Sequence, residues 1–343
     1  MNPLPGKFRS HCLDAALNLL WRQWCSLGVA GHARAADPNR IIDPEALLLA
    51  TTSLGRHDPR LFDECLDWLS RYGSLFHLQR LKTLQMSSGL GDPVVLSAMA
   101  DWLVQSGGQP KWKAHARPEA HSRQEKLFFI GRAPVIPDPV FAEHGLLRPP
   151  VKVRGMSRSP NPMLPPNILI TLRALIGVSA RAEVILCLAS GPAAHPSEIA
   201  RLTGYTPRTM QALLQEMALS GHILTQEHAS RSLIGKGRGP NRRYHLREAD
   251  WRFLTGGTAL PRWTPWAPLW SLTQTVLDAI PAPDTPAKHP AIVSSKIRDH
   301  LAVHGQSLAA AGLLPVLNIR SGSTGEDLLE SLVATLPDAL TMA

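Results

Sequence analysis

Residues 196–217 read Pro-Ser-Glu-Ile-Ala-Arg-Leu-Thr-Gly-Tyr-Thr-Pro-Arg-Thr-Met-Gln-Ala-Leu-Leu-Gln-Glu-Met, and the fold is decided here. Pro196 starts a short helix at its first position, where a missing N–H costs nothing. Glu198 sits in the first turn, and Ile199 and Leu202 turn inward. Thr203-Gly204-Tyr205 is a tight connection in which Gly204 supplies a positive φ. Thr206 then caps a second helix, with Pro207 at its first position. Met210, Leu213, Leu214 and Met217 follow i, i+3, i+4, i+7 spacing, a stripe that faces a core. Arg208, Gln211 and Gln215 fall on the opposite side, and Thr209 lies in the first turn. Arg matches the guanine edge and Gln the adenine edge, so this face suits the major groove of DNA; an ordinary amphipathic surface helix has the same pattern.

The flanking residues decide between these readings. Upstream, Ser179 to Ser190 forms a helix with Ala182, Ile185, Leu186 and Ala189 inward, ended by Gly191-Pro192. Downstream, Gly221 closes the second helix and His222 to Glu227 alternates as a strand. A loop from Ser230 to Asn241 holds Gly235, Gly237 and Gly239, and Arg242 to Leu246 returns as a second strand. Arg231, Lys236, Arg238, Arg242, Arg243 and Arg247 crowd this hairpin with no acidic residue among them. Such a tip repels itself unless a polyanion is its partner, and DNA phosphates are the natural one.

Helix, short helix, turn, helix and basic hairpin together resemble the winged helix-turn-helix domains of MarR-type and ArsR-type regulators, over about 70 of 343 residues. The resemblance implies base reading by the face of Arg208, Gln211 and Gln215, with phosphate or minor-groove contact by Arg238, Arg242 and Arg243. The expected DNA-binding set is Thr206, Arg208, Thr209, Gln211, Gln215, Arg231, Lys236, Arg238, Arg242 and Arg243. The chain departs from those families in a large N-terminal region and a Trp-rich C-terminal one.

The expected fold class is mainly α with a small β-hairpin wing (α+β), the winged helix-turn-helix being flanked by helical regions. The chain divides into a helical region 1–106, a Pro-rich strap 107–166, the winged region 167–255 and a Trp-rich helical region 256–343. In the first region Asp43-Pro44, Asp58-Pro59 and Asp92-Pro93 are repeated helix-start signals. Leu75, Leu78, Leu81 and Leu84 suggest a helix with His77, Gln79, Arg80 and Lys82 outward, and the region is either a helical packing or dimerisation domain or a degenerate second helix-turn-helix. The first helix is amphipathic, with Leu13, Ala16, Leu17, Leu20 and Trp24 on one face rather than the core of a signal peptide. Between Pro110 and Pro166 there are 11 prolines, and ten Lys or Arg against four Asp or Glu, so an extended basic strap is expected, with one short strand at Leu127 to Ile130. Trp263, Trp266 and Trp270 share a helical face, or a turn leading into one, for core or subunit packing.

A net charge of +9 favours polyanionic partners. Cys12, Cys25, Cys65 and Cys187 are scattered, without the close pairs of a zinc site or the density of a disulfide scaffold, so reduced thiols in a cytoplasmic, nucleoid-associated protein are expected. The apolar run Ile168 to Leu188 is interrupted by Arg173, Arg181 and Glu183, which argues against a membrane span. Gly235-Lys236-Gly237-Arg238-Gly239 lacks the spacing of a phosphate-binding P-loop, and neither H-E-x-x-H nor G-x-S-x-G occurs. The anion-binding reading of Arg320 to Gly325 ranks below a plain surface loop. The expected function is sequence-specific double-stranded DNA binding by a transcriptional regulator, with double-stranded DNA and a second copy of the chain (a homodimer) as the expected partners and no catalytic residues, metal or cofactor. The alternatives are a structural, replication or partition protein with little sequence choice, and a nucleic-acid-processing enzyme whose site is not visible in the sequence.

Overall fold

A computed structural model describes residues 4–117, 124–191, 194–228, 241–251, 260–280, 290–310, 313, 317 and 325–342. The described residues are mainly helical, with two small two-stranded sheets among them. In chain order the helices begin with α1 (Leu4–Leu27), α2 (Pro44–Leu54), α3 (Pro59–Tyr72), α4 (Leu78–Ser88) and α5 (Pro93–Gln105). The short elements β1 (Glu125–Lys126), α6 (Pro139–Glu143) and β2 (Leu146–Leu147) follow. Then come α7 (Ile168–Ile176), α8 (Ala180–Ala189), α9 (Pro196–Thr203), α10 (Pro207–Ala218), β3 (Ile223–His228), β4 (Asn241–Leu246) and α11 (Glu248–Trp251). Among the described residues, the remaining helices are α12 (Trp266–Ala279), α13 (Pro290–Ala310) and α14 (Gly325–Met342).

Asp-Pro pairs start four of these helices for one reason. The aspartate accepts hydrogen bonds from the first-turn N–H groups while proline occupies the position that needs no donor. Asp43 accepts from Ala46 N, Asp58 from Leu61 N, Asp92 from Val94 N and Val95 N, and Asp138 from Val140 N and Phe141 N.

Two compact units result, neither continuous in sequence. The larger holds Met1–Ala36, Asp43–Asn161 and Trp266–Ala343; the smaller holds Asp37–Ile42 and Pro162–Pro265. The N-terminal region, strap and C-terminal helices, read separately in the sequence, thus belong to one unit. Long-range bonds make the join: Arg9 Nη1 donates to Leu277 O at 2.9 Å and Arg22 Nη1 to Thr341 O at 2.9 Å. Gly91 N donates to Gln274 Oε1 at 2.9 Å, and Ser271 Oγ to Ser88 O at 2.7 Å. Helix periodicity carries no information about such pairings.

The core of the larger unit is lined by Trp24, Phe62, Cys65, Trp68, Phe76, Trp112, Trp266 and Trp270, all buried. Trp24 and Trp68 meet edge to face at 5.7 Å, and Trp266 stacks with Trp270 at 6.5 Å. Both C-terminal tryptophans fill the unit's own interior, while Trp263 precedes α12 and is buried in the smaller unit. They do not form a single helical face.

Arg80 corrects a sequence expectation. Rather than pointing outward, it is buried between Asp43 and Glu45. Its Nη2 reaches Asp43 Oδ2 at 2.5 Å and its Nη1 reaches Glu45 Oε2 at 2.5 Å, while Glu45 Oε1 accepts from His77 N at 2.8 Å. An Arg on a polar helix face reads as exposed until its acidic partners on another helix are known. Gln79 and Lys82 are exposed as expected.

The strap is largely irregular but tied down. Its strand falls two residues earlier than the expected Leu127 to Ile130: Glu125 and Lys126 pair in parallel with Leu146 and Leu147. Arg56 clamps it, donating from Nε to Leu127 O at 2.8 Å and from Nη2 to Glu125 Oε1 at 2.7 Å, with its guanidinium 4.4 Å from the Phe129 ring.

Two outcomes follow for the larger unit. Arg80→Met leaves two buried carboxylates without their cation and should destabilise by about 3–5 kcal/mol, read as a lower urea midpoint. His300 is buried beside His304, with ring centroids 4.7 Å apart, and burial first and His304 second push its pKa down to about 4. Its unfolded value is the ordinary 6.5, so the unfolded chain binds more protons between these limits and stability should rise with pH from about 4 to 6.5. Urea midpoints across that window should climb less steeply for His300→Asn than for the parent chain; equal slopes would remove His300 as a source.

Candidate nucleic-acid interface

The smaller unit is built round α8. Ala180, Ala182, Val184, Ile185, Leu186, Cys187 and Leu188 are all buried, so α8 is enclosed on nearly every side rather than along one stripe. Residues 37–42, assigned by sequence to the helical N-terminal region, are threaded into this unit. Ile41 N donates to Arg262 O at 3.0 Å, Arg262 N to Asn39 O at 2.7 Å, and Ile42 N to Pro166 O at 3.0 Å.

Helix α9 has a capping box with histidine in the place usually taken by Ser or Thr. His195 Nδ1 accepts from Ser197 N at 3.3 Å, and Glu198 Oε2 accepts from His195 N at 2.9 Å. Gly204 ends the helix at φ 79°, a left-handed conformation that a side chain would strain. Tyr205 follows, and its hydroxyl donates to Glu183 Oε1 at 3.4 Å. Glu183 also accepts from Arg173 Nη2 of α7 at 2.5 Å, both side chains being fully buried. Two of the three charges that argued against a membrane span, Arg173 and Glu183, are therefore an internal pair. Among the described residues, no helix is long and apolar enough to cross a membrane.

Helix α10 begins as the sequence predicts. Thr206 Oγ1 accepts from Thr209 N at 3.1 Å, and the two hydroxyl oxygens lie 2.8 Å apart. Met210 and Leu214 are fully buried, with Leu213 and Met217 half-buried. Thr206, Arg208, Thr209, Gln211 and Gln215 are all exposed, so one helix presents all five expected residues to solvent. Thr206 and Thr209 are occupied with the cap. Arg208, Gln211 and Gln215 make no hydrogen bond or ion pair among the described residues. Glu216, further along, pairs with Arg181 at 2.5 Å.

The β3–β4 hairpin is antiparallel, with Ile223 opposite Leu246 and Thr225 opposite Tyr244. Tyr244 and Ile223 are buried against the helices. A further pairing went unseen in the sequence: Ala194 bridges Tyr244, its N–H donating to Tyr244 O at 2.8 Å and its carbonyl accepting from Tyr244 N at 2.9 Å. One bridging residue has no periodicity, so nothing in the sequence marks it.

Arg242 is exposed on β4. Arg243, expected to face phosphate, donates from Nη2 to Glu198 Oε2 at 2.7 Å, so the carboxylate that caps α9 also holds the hairpin. Arg231, Lys236 and Arg238, like the Gly-rich loop that carries them, lie outside the described residues, as does most of Arg320 to Gly325. Among the described residues, no three His, Cys, Asp or Glu side chains are grouped to hold a metal ion. Such an arrangement offers hydrogen-bond donors and acceptors on a helix face, with cations on the adjoining hairpin. Compared with protein-family models, with curated proteins and with solved structures, the chain finds no match in any of the three.

Proposed function

We propose that the chain binds double-stranded DNA with sequence preference, as a transcriptional regulator of the cytoplasm and nucleoid, through a winged helix-turn-helix formed by α8, α9, α10 and the β3–β4 hairpin. The observation that carries this reading is the outer face of α10. Arg208, Gln211 and Gln215 project from a helix whose opposite side is buried, and nothing within the described chain engages them. They are the side chains whose donor and acceptor pattern matches base edges. The net charge of +9 supplies attraction to the phosphate backbone without sequence choice. No catalytic step belongs to this reading.

On a two-fold site, two copies would set their α10 helices one helical turn of DNA apart. Trp263, Trp266 and Trp270 are buried within the single chain, so self-association would use other surface. Light scattering of the complex should give twice the 37.4 kDa chain mass plus DNA.

Base reading by α10 is tested by paired titrations at one salt concentration, on a site selected from random fragments and on its scrambled version. Arg208→Ala and Gln211→Ala should each cost about 1–3 kcal/mol on the selected site and little on the scrambled one. Alanine has the highest helix propensity and both positions are exposed, so the helix itself should be unaffected. Equal losses on both DNAs would mean that α10 meets only the backbone, and a sequence-indifferent structural protein would become the better reading.

Arg242 and Arg243, the described arginines of β4, should differ, because Arg243 is held by Glu198. Arg242→Ala is expected to reduce the log–log salt slope of binding by about 0.9, the value of one phosphate contact. Arg243→Gln removes a partly exposed pair to Glu198 and should change stability by less than about 1 kcal/mol. Its salt slope should remain that of the parent chain. A drop of equal size for both variants would return Arg243 to the DNA-contacting set.

A further inference from the structure

Residues 130–137 of the strap, Ile130 to Pro137, form a loop whose two ends are fixed. At one end Leu127 N donates to Leu147 O at 2.9 Å and Phe129 N to Arg56 O at 3.0 Å; at the other, Asp138 N donates to Arg148 O at 2.8 Å. Lys126 Nζ donates to Gly131 O at 3.1 Å, where Gly131 turns the chain at φ 76°. Pro134 and Pro137 restrict the tip between them. The tip is Val135-Ile136, and the two side chains are 99% and 73% exposed. Folding normally hides such groups, and here a loop with anchored ends and stiffened backbone holds them out.

The size and surroundings of the tip select its partner. Stable membrane attachment is out of scale, since even one myristoyl chain binds bilayers marginally and Val135 with Ile136 has about half its carbons. Two bare aliphatics do match the step between adjacent base pairs, into which apolar side chains insert from the minor groove, kinking the duplex. The cations at the loop agree: Arg132 lies within it, Lys152 follows Val151, whose N–H donates to Asp138 Oδ2 at the loop's end at 3.2 Å, and both are exposed and enter no ion pair among the described residues.

We propose that Val135 and Ile136 form an apolar wedge that enters a base step of double-stranded DNA and bends it, with Arg132 and Lys152 on the flanking phosphates. The wedge rests on the reading of the chain as a duplex-binding protein but not on base recognition by α10. It adds a second contact of different chemistry, one that senses how easily a step unstacks rather than which edges it displays.

The test uses the full chain and a mixed-sequence duplex of about 40 base pairs with a central TA step, which unstacks readily. Donor and acceptor dyes at the two ends report bending. The parent chain should raise energy transfer on binding. The double variant Val135→Ser with Ile136→Ser should bind about tenfold more weakly and leave energy transfer near that of free DNA. Val135→Leu with Ile136→Leu should restore both, since apolar bulk is what the step accepts. Unchanged urea midpoints are expected for both variants, because the side chains replaced are solvent-exposed. Binding by the parent chain without bending overturns the wedge and leaves the reading of α10 standing, whereas failure of the parent to bind any duplex removes both. A serine variant that bends DNA normally also overturns the wedge. So does one whose single defect is lost binding to phosphatidylserine vesicles or lost self-association.

Discussion

Glu183 is the group on which the geometry of the smaller unit depends. It lies fully buried in α8, and its Oε1 atom joins Arg173 of α7 to the Tyr205 hydroxyl in the turn before α10. A carboxylate with no access to water must have its charge met inside the protein, or removal from solvent costs several kcal/mol. The guanidinium meets it, and the phenol adds a directional bond. Three elements are thereby fixed around one atom. Hydrophobic contact would let them slide by fractions of an ångström, whereas a charge-assisted bond does not. The left-handed Gly204 turn and the Thr206 cap then fix the path from α9 into α10.

The same chemistry recurs in the larger unit, and it changes how the charge of the chain should be read. Arg80 lies between Asp43 and Glu45, Arg56 meets Asp92 and Glu125, and Arg148 pairs with Asp63 at 2.7 Å, so each arginine is matched or outnumbered by carboxylates. The Arg148 guanidinium also lies 5.1 to 5.9 Å from the rings of Phe62, Phe128 and Phe141. Each arginine sits beside carboxylates, so these sites add little to the external field. The surplus that remains is carried by exposed residues such as Arg208, Arg132 and Lys152. A sum over composition has the right sign but cannot say which cations face outward.

What the sequence made legible was local chemistry. Asp43-Pro44, Asp58-Pro59, Asp92-Pro93 and Thr206-Pro207 located helix starts to the residue, because a cap and its proline act within one turn. The alternation from His222 and the return at Arg242 located the hairpin to within a residue at each outer end. Arg208, Gln211 and Gln215 share the exposed face that their spacing implied. Long-range pairings stayed hidden. Arg80 reads as outward because its partners lie about 35 positions earlier in the chain, and Arg243 reads only as a phosphate contact because Glu198 is 45 positions away. Ala194, the segment 37–42 and the joining of both chain ends in one unit belong to the same class. Sequence distance, rather than residue type, separates what was read from what was missed.

Helix α10 is held in a way that fits a helix presenting one face to a partner. Only Met210 and Leu214 are fully buried, which is little apolar anchorage for twelve residues. The remainder comes from its ends: the Thr206 cap and Pro207 at the start, and the hairpin that follows Gly221 at the finish. The hairpin in turn is pinned to the start of α9 by the Ala194–Tyr244 bridge and by Glu198 with Arg243. Anchoring both ends leaves the middle of the outer face without a structural duty, so Arg208, Gln211 and Gln215 can vary without loss of the fold. Residues freed from structural demands in this way, on a rigid helix, are where a binding preference can change most readily.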